Sequence, residues 1–265
     1  MKTTELRTLA NHLRITTLEM ICGAKSGHPG GSLSAIDIIV ALYFGGILKH
    51  NPKKPLDPKR DFFVLSKGHA SAALYAVLAE RGFFPKKALG KFRQVNANLQ
   101  GHPTPHTPGV EVASGSLGQG LSFSVGLALA NPKQNIFTLL GDGELQEGQN
   151  WEAAMSATHF GCKNLTAIID HNRLQIDGPT KEVMRIEPLG KKFESFGWRT
   201  VEIDGHNFTH ILRELKKAKS SKKPTAIIAK TVKGRGAPVA ENNFEFHGKP
   251  LSCEELAAAK ANLTI

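Results

Sequence analysis

Long hydrophobic runs are missing from this sequence. No stretch of 18 or more apolar residues occurs in its 265 residues, so no segment reads as a membrane span and no membrane partner is expected. Met1-Lys2-Thr3 leads into a polar, helix-like segment, unlike the apolar core of a secretory signal. Cysteine is scarce. Cys22, Cys162 and Cys253 are odd in number and far apart, which excludes a disulfide framework or a zinc knuckle and fits a reducing cytoplasm. Repeats, low-complexity tracts and a Gly-Lys-Ser/Thr phosphate loop are also absent. The glycines of Gly115-Ser116-Leu117-Gly118-Gln119-Gly120 do not match the dinucleotide fingerprint. With 40% hydrophobic and 22% charged residues the chain is neither disordered nor collagen-like. Its length suits one large α/β domain, or two small ones, with ample core.

Acidic residues are outnumbered, 23 against 34 basic ones, for a net charge of +11 with histidine neutral. Such an excess favours anionic partners. Much of it sits in one run, Arg213, Lys216, Lys217, Lys219, Lys222 and Lys223, which reads as a solvated helix face and linker. No aromatic platform, zinc finger or RNA-recognition signature accompanies it, so nucleic acid is not an expected partner.

Amphipathic periodicity predicts helices over Glu5–Ala24, Leu33–Gly45, Ala70–Arg81, Leu117–Ala130, Asn150–Phe160, Phe208–Ala218 and Glu254–Asn262. Short apolar runs bounded by Gly, Asp or Asn predict buried strands at Phe62–Leu65, Ile136–Leu140, Leu165–Asp170, Thr200–Ile203 and Ala226–Lys230. Strand and helix alternate from about residue 60 to 230. That order implies a mostly parallel central sheet with helices on both faces. Two long loops interrupt it, one rich in Gly, Pro and His over residues 98–121 and one from Lys233 to Pro250. Long loops inside a compact domain tend to be functional.

The chemistry concentrates at Gly141-Asp142-Gly143. A predicted strand ends there, and 28 residues (144 to 171) separate Gly143 from Asn172, which follows the next strand. One crossover helix fits that interval, and a strand–helix–strand unit brings both carboxyl ends to the same sheet edge. Asp142 and Asn172 should therefore meet. A carboxylate, an amide oxygen and the backbone carbonyl of Leu174 are hard ligands of the kind Mg²⁺ takes together with phosphate oxygens and water. Gly141 and Gly143 let backbone approach a diphosphate.

Gly-Asp-Gly followed after 28 residues by Asn resembles the thiamine diphosphate-binding motif. Within that superfamily the chain is similar to transketolase over nearly its whole length. The resemblance rests on Ser26-Gly27-His28-Pro29-Gly30, on Phe63-Val64-Leu65-Ser66-Lys67-Gly68-His69-Ala70 and on Gly101-His102-Pro103. It rests also on Pro108-Gly109-Val110-Glu111-Val112, on the Gly115–Gly120 run and on Leu145-Gln146-Glu147-Gly148. It implies a thiamine diphosphate-binding fold and transfer of a two-carbon ketol unit between sugar phosphates. Asp142, Asn172 and the Leu174 carbonyl would hold Mg²⁺ or Ca²⁺, while His69, Gly143, Asn172 and His247 would contact the cofactor's diphosphate. Gly115 and Leu117 would offer backbone groups to the aminopyrimidine, and Ile176 would pack near the thiazolium. His28, His102 and His247 would line the substrate channel, and Glu147 would lie at a subunit interface. The other histidines His12, His50, His159, His206 and His210 read as structural or solvated, and His106 and His171 stay undecided.

By the same resemblance, residues 1–265 form one diphosphate-binding domain, the pyrimidine-binding and carboxy-terminal domains being absent. The chain then reads as the amino-terminal subunit of a split transketolase. It would act only with a separately encoded carboxy-terminal partner, as a heterotetramer held by homodimeric contacts. Ser32, Ser34, Thr104 and Lys233 depart from the commoner family residues and leave the sugar open. Two rival readings are the corresponding part of a deoxyxylulose-phosphate synthase and a non-catalytic binding module on the same fold.

Overall fold

A computed structural model describes residues 1–264. In chain order the elements are helices α1 (Thr3–Gly23) and α2 (Pro29–Phe44), strand β1 (Phe62–Leu65), α3 (Ser71–Arg81), α4 (Gln119–Ala130), β2 (Ile136–Gly141), α5 (Gln149–His159) and β3 (Leu165–His171). There follow a small hairpin, β4 (Leu174–Gln175) and β5 (Gly178–Pro179), then α6 (Thr180–Val183), α7 (Leu189–Ser195), β6 (Arg199–Asp204), α8 (Phe208–Lys219), β7 (Thr225–Lys230) and α9 (Cys253–Leu263).

Strands β2, β3 and β7 are apolar along most of their length rather than alternating, because both faces of the sheet are covered. Five strands pair in the order β1-β2-β3-β7-β6, and every pairing is parallel. One face packs against α1, α2, α3 and α8, with Leu13, Ile36, Leu74 and Ile211 in a common core. The opposite face packs against α4, α5 and α7 through Leu121, Ala154 and Phe193. The expected two-sided α/β architecture is therefore the one observed. No helix among the described residues is long and apolar enough to cross a membrane.

Helix boundaries follow local chemistry. α2 starts at Pro29, four residues earlier than periodicity predicts, because proline suits the first helical position where an N–H has no partner. It is buried on all sides from Pro29 to Tyr43, so it carries no polar stripe for a periodicity argument to find. α4 starts at Gln119 and not Leu117, since Gly118 takes a left-handed conformation at φ 84°. The seven-residue α7 was not predicted; Leu189 and Phe193 alone carry its apolar face. The basic run covers the end of α8 and the short connection to β7, as expected: Lys216, Lys217 and Lys219 sit in the last turn, where cations complement the helix dipole, and Lys222 and Lys223 follow it.

One buried ion pair ties the front of the molecule together. Arg14 on α1 donates to Asp37 on α2 at 2.5 Å, and His206, after β6, approaches the same carboxylate at 2.6 Å. Burial would raise the Asp37 carboxyl, but Arg14 and His206 hold it below the usual range. The other nitrogen of His206 accepts from Val232 N–H at 2.8 Å, so this imidazole is structural, as its sequence setting suggested.

Candidate functional site

Because the strands are parallel, β1, β2, β3 and β7 open on the same edge, and the loop after each brings polar residues to it. Ser66–His69 follow β1, Asp142 and Gly143 follow β2, Asn172–Leu174 follow β3, and Lys233 and His247 follow β7. The amino end of α2 adds His28 and Gly31. Between them lies a cavity of about 190 Å³ whose wall includes His69, Leu117, Asp142, Gly143, Glu147, Asn172, Leu174, Ile176 and His247. Gly115, His28 and His102 stand just outside that wall. A larger open groove of about 710 Å³ shares Asn172 and Leu174 but turns away from the histidines, toward Lys181, Arg185 and the His171–Glu187 pair.

Asp142 and Asn172 do meet across the β2–β3 pair, whose register sets Gly141 against Asp170. One Asp142 oxygen accepts from Gly143 N–H at 2.8 Å and the other from Arg173 N–H. Arg173 is left-handed at φ 66°, which bends the Asn172–Leu174 turn back on the neighbouring strand tip. Asn172 Oδ1 accepts from Leu174 N–H at 3.1 Å. Each of these oxygens, and the Leu174 carbonyl, retains acceptor capacity beyond the bonds it makes. The Asp142 carboxyl is pushed up to about 6, first by burial and then by the nearby Asp170. A buried carboxylate so disfavoured calls for a cation.

The donor chemistry suits a hard one. No group of three or more His, Cys, Asp or Glu side chains poised for a metal occurs among the described residues. One carboxylate, one amide oxygen and one carbonyl are too few and too hard for zinc, but fit Mg²⁺ or Ca²⁺ that also takes phosphate oxygens and water. Close packing fits a diphosphate too. A Cβ added at Gly31 would sit 3.0 Å from His69 Nε2 and 3.3 Å from Lys67 Nζ, on the cavity wall.

Two lysines of that wall escaped the sequence reading of site residues. Lys67, 1% exposed, pairs with Asp170 at 2.5 Å and donates to Gly31 O at 2.9 Å. Lys233, equally buried, donates to Leu174 O and to His247 Nδ1, each at 2.9 Å. Burial, then repulsion from Lys67, lowers its ammonium to about 8. Buried ammonium groups beside a cavity offer charge to an anion. The only signal for Lys233 in the sequence was its departure from an apolar family residue. Glu144 was missed as well. Its buried carboxylate accepts from Gly118 and Gly141 N–H, both at 2.9 Å, and from the Ser66 hydroxyl, fastening the Gly115–Gly120 loop to the tip of β2.

Four histidines from four loops form one cluster. The His28 ring centroid lies 5.4 Å from that of His69, 6.3 Å from His102 and 5.6 Å from His247, and His69 is 5.2 Å from His247. All four are held neutral. Burial is the first cause in each; Arg93 follows for His28 and His102, Lys67 for His69 and Lys233 for His247. His28 is lowered to about 4 and His247 to about 3. Neutral imidazoles each offer one donor and one acceptor, which is what binding and proton exchange with hydroxyl groups require. Gly115 abuts this cluster: a Cβ there would lie 3.0 Å from His102 Cγ. Ile176 is 65% exposed, leaving one side of the cavity rim uncovered by this chain.

Over residues 6–265 the chain matches the family described as transketolase, thiamine diphosphate binding domain. It is 43% identical to the 6-deoxy-6-sulfo-D-fructose transketolase subunit SqwG of Clostridium sp. (strain MSTE9), covering 98% of this chain and 96% of that one. It is 40% identical to an apulose-4-phosphate transketolase subunit of Phocaeicola vulgatus, over 93% of this chain and 88% of the relative. Among solved structures, the transketolase of Campylobacter jejuni superposes with a TM-score of 0.96 at 38% identity, covering all of this chain and 43% of that one. The chain thus spans less than half of a long transketolase and nearly all of the two subunits.

Proposed function

The chain belongs to the transketolase thiamine diphosphate-binding family, and from that premise we propose that it is the diphosphate-binding subunit of one split transketolase. One observation carries the reading: Asp142, Asn172 and the Leu174 carbonyl converge at two adjacent strand tips, in the same cavity wall as His69, His247, Lys67 and Lys233. In this reading the first three hold Mg²⁺ or Ca²⁺, and His69, Gly143, Asn172 and His247, with the two lysines, hold the diphosphate. When bound, thiamine diphosphate supplies a carbon nucleophile and an electron sink for breaking and making a carbon–carbon bond next to a carbonyl. The residues of this chain bind, orient and move protons. Gly115 and Leu117 present backbone groups to the aminopyrimidine, and Ile176 shields the thiazolium side. His28, His102 and His247 bind substrate hydroxyl and carbonyl oxygens, His28 as a donor and the others as partners in proton exchange.

The donor is a ketose carrying a terminal anionic group, and the acceptor an aldose. The two subunit relatives are named for a sulfo- and a phosphosugar, which supports the class without choosing between them. The coverage of those relatives supports a separate partner subunit that completes the exposed side of the site. Glu147, at the entry to α5, is exposed, as are the large apolar side chains of Phe123 on α4 and Met155 on α5. Exposed apolar side chains of this kind favour contact between two copies and hence a heterotetramer.

Calorimetry with thiamine diphosphate and Mg²⁺, followed by ketol-transfer assays with and without the complementary subunit, tests the proposal. Metal-dependent cofactor binding and transfer only in the mixture are expected. Transfer by the isolated chain overturns the split-enzyme reading; absence of both binding and transfer overturns the enzyme. The role of His102 has its own outcome. His102→Ala should lower turnover of the assembled enzyme roughly a hundredfold, the usual scale for one acid–base group, and leave cofactor affinity within about twofold. Weaker cofactor binding with turnover intact would move His102 out of the channel.

A further inference from the structure

Arg93 lies in the loop between α3 and α4, outside the wall of the cofactor cavity. Its backbone is left-handed at φ 58°, and its N–H donates to Leu99 O at 2.8 Å. The guanidinium packs on the bare backbone of Gly101, where a Cβ would come within 2.7 Å of Nη2. It forms no ion pair among the described residues, and its Nε is buried without a partner. Instead Nη1 donates to Ser26 Oγ at 2.6 Å and Nη2 faces His28 Nδ1 at 3.5 Å. One side chain thus bridges the loop that bears His28 and the loop that bears His102.

A guanidinium has only donors. The ring nitrogen it faces must carry the lone pair, so the proton of a neutral His28 belongs on Nε2. We infer that Arg93 is a positioning residue that selects the Nε2–H tautomer of His28, locking that imidazole as a hydrogen-bond donor within the histidine cluster. Nothing around His28 opposes this. The groups that face it are Arg93, His102, His69, His247 and, further off, Lys67 and Lys233; no carboxylate stands among them to stabilise an imidazolium. The single proton is then available for an oxygen of the substrate, and the lone pair is not.

The tautomer is a property of the full chain and is read without activity; only the kinetic arm of the test rests on the transketolase reading. In ¹⁵N spectra of the imidazoles, with His28 assigned by the signal lost in His28→Asn, wild type should show Nε2 protonated and Nδ1 bare across neutral pH. Arg93→Met should give a mixture of tautomers and raise the His28 titration by about one pH unit, the scale of one removed neighbouring charge. In the assembled enzyme the acid limb of kcat/KM should move up with it, and Arg93→Lys should restore most of the shift. A wild-type His28 protonated on Nδ1 overturns the inference, and so does an unchanged tautomer and titration in folded Arg93→Met. Should that variant not fold, the wild-type spectrum decides alone. A wild-type enzyme that transfers no ketol unit counts against the proposed function and not against the tautomer.

Discussion

Asp142→Ala should abolish metal-dependent binding of thiamine diphosphate. Asp142 is the one charged donor among the three proposed metal ligands. A unit charge at about 4 Å in a partly buried site is worth about 4 kcal/mol, so affinity in the presence of Mg²⁺ should fall roughly a thousandfold. The carboxylate also accepts from Gly143 and Arg173 N–H, and truncation strands both, at a cost of about 1–3 kcal/mol each if they stay buried. Asp142→Asn separates the two effects. It keeps one acceptor oxygen, sets its NH2 against one of the two N–H donors, and removes a buried charge that burial and Asp170 already disfavour. Its thermal midpoint should lie between those of Asp142→Ala and wild type while cofactor affinity stays low. Calorimetric titration at fixed Mg²⁺ reads the result. Undiminished metal-dependent affinity in either variant removes the metal from these strand tips.

The second large effect concerns the support beneath the site. Lys67→Met should destabilise the fold by about 3–5 kcal/mol, the usual cost of breaking a buried ion pair from one side. It leaves Asp170, 0% exposed, with only the Ser34 and Thr231 hydroxyls as side-chain donors among the described residues. Burial raises the Asp170 carboxyl; Lys67 is the largest influence holding it down. Lys67→Met/Asp170→Asn removes both charges and should recover more than half of the loss, since the penalty lies in the uncompensated charge. Urea unfolding followed by circular dichroism measures both. A single variant as stable as wild type would mean that water or a rearranged neighbour takes the place of the ammonium.

Much of the candidate site was legible in the order of residues. Asp142 and Asn172 could be brought together from spacing alone, because parallel strands joined by one crossover must end on the same edge. The helices with a polar stripe, α1, α5 and α8, were readable within a few residues. α2 lost its first turn in that reading since a helix buried on every side has no amphipathic period, and α7 is too short to establish one. The histidine cluster was a different matter. His28, His69, His102 and His247 lie on four loops with no periodic relation, and only the family resemblance suggested that three of them line a channel beside the cofactor that His69 contacts. Lys233 drew notice solely as an odd residue in an apolar position, and Arg93 not at all.

Local order explains the division. Runs of apolar residues determine strands, their lack of alternation implies a sheet covered on both faces, and the crossover length determines which strand tips are neighbours. All three are properties of contiguous sequence. Tertiary structure alone decided that Lys67 and Lys233 are buried, that four imidazoles lie within a few ångströms and stay neutral, and that Arg93 faces one particular nitrogen of His28. Proton affinity and tautomer depend on desolvation and on charges delivered by distant segments, and those quantities exist only once the loops have closed over one another.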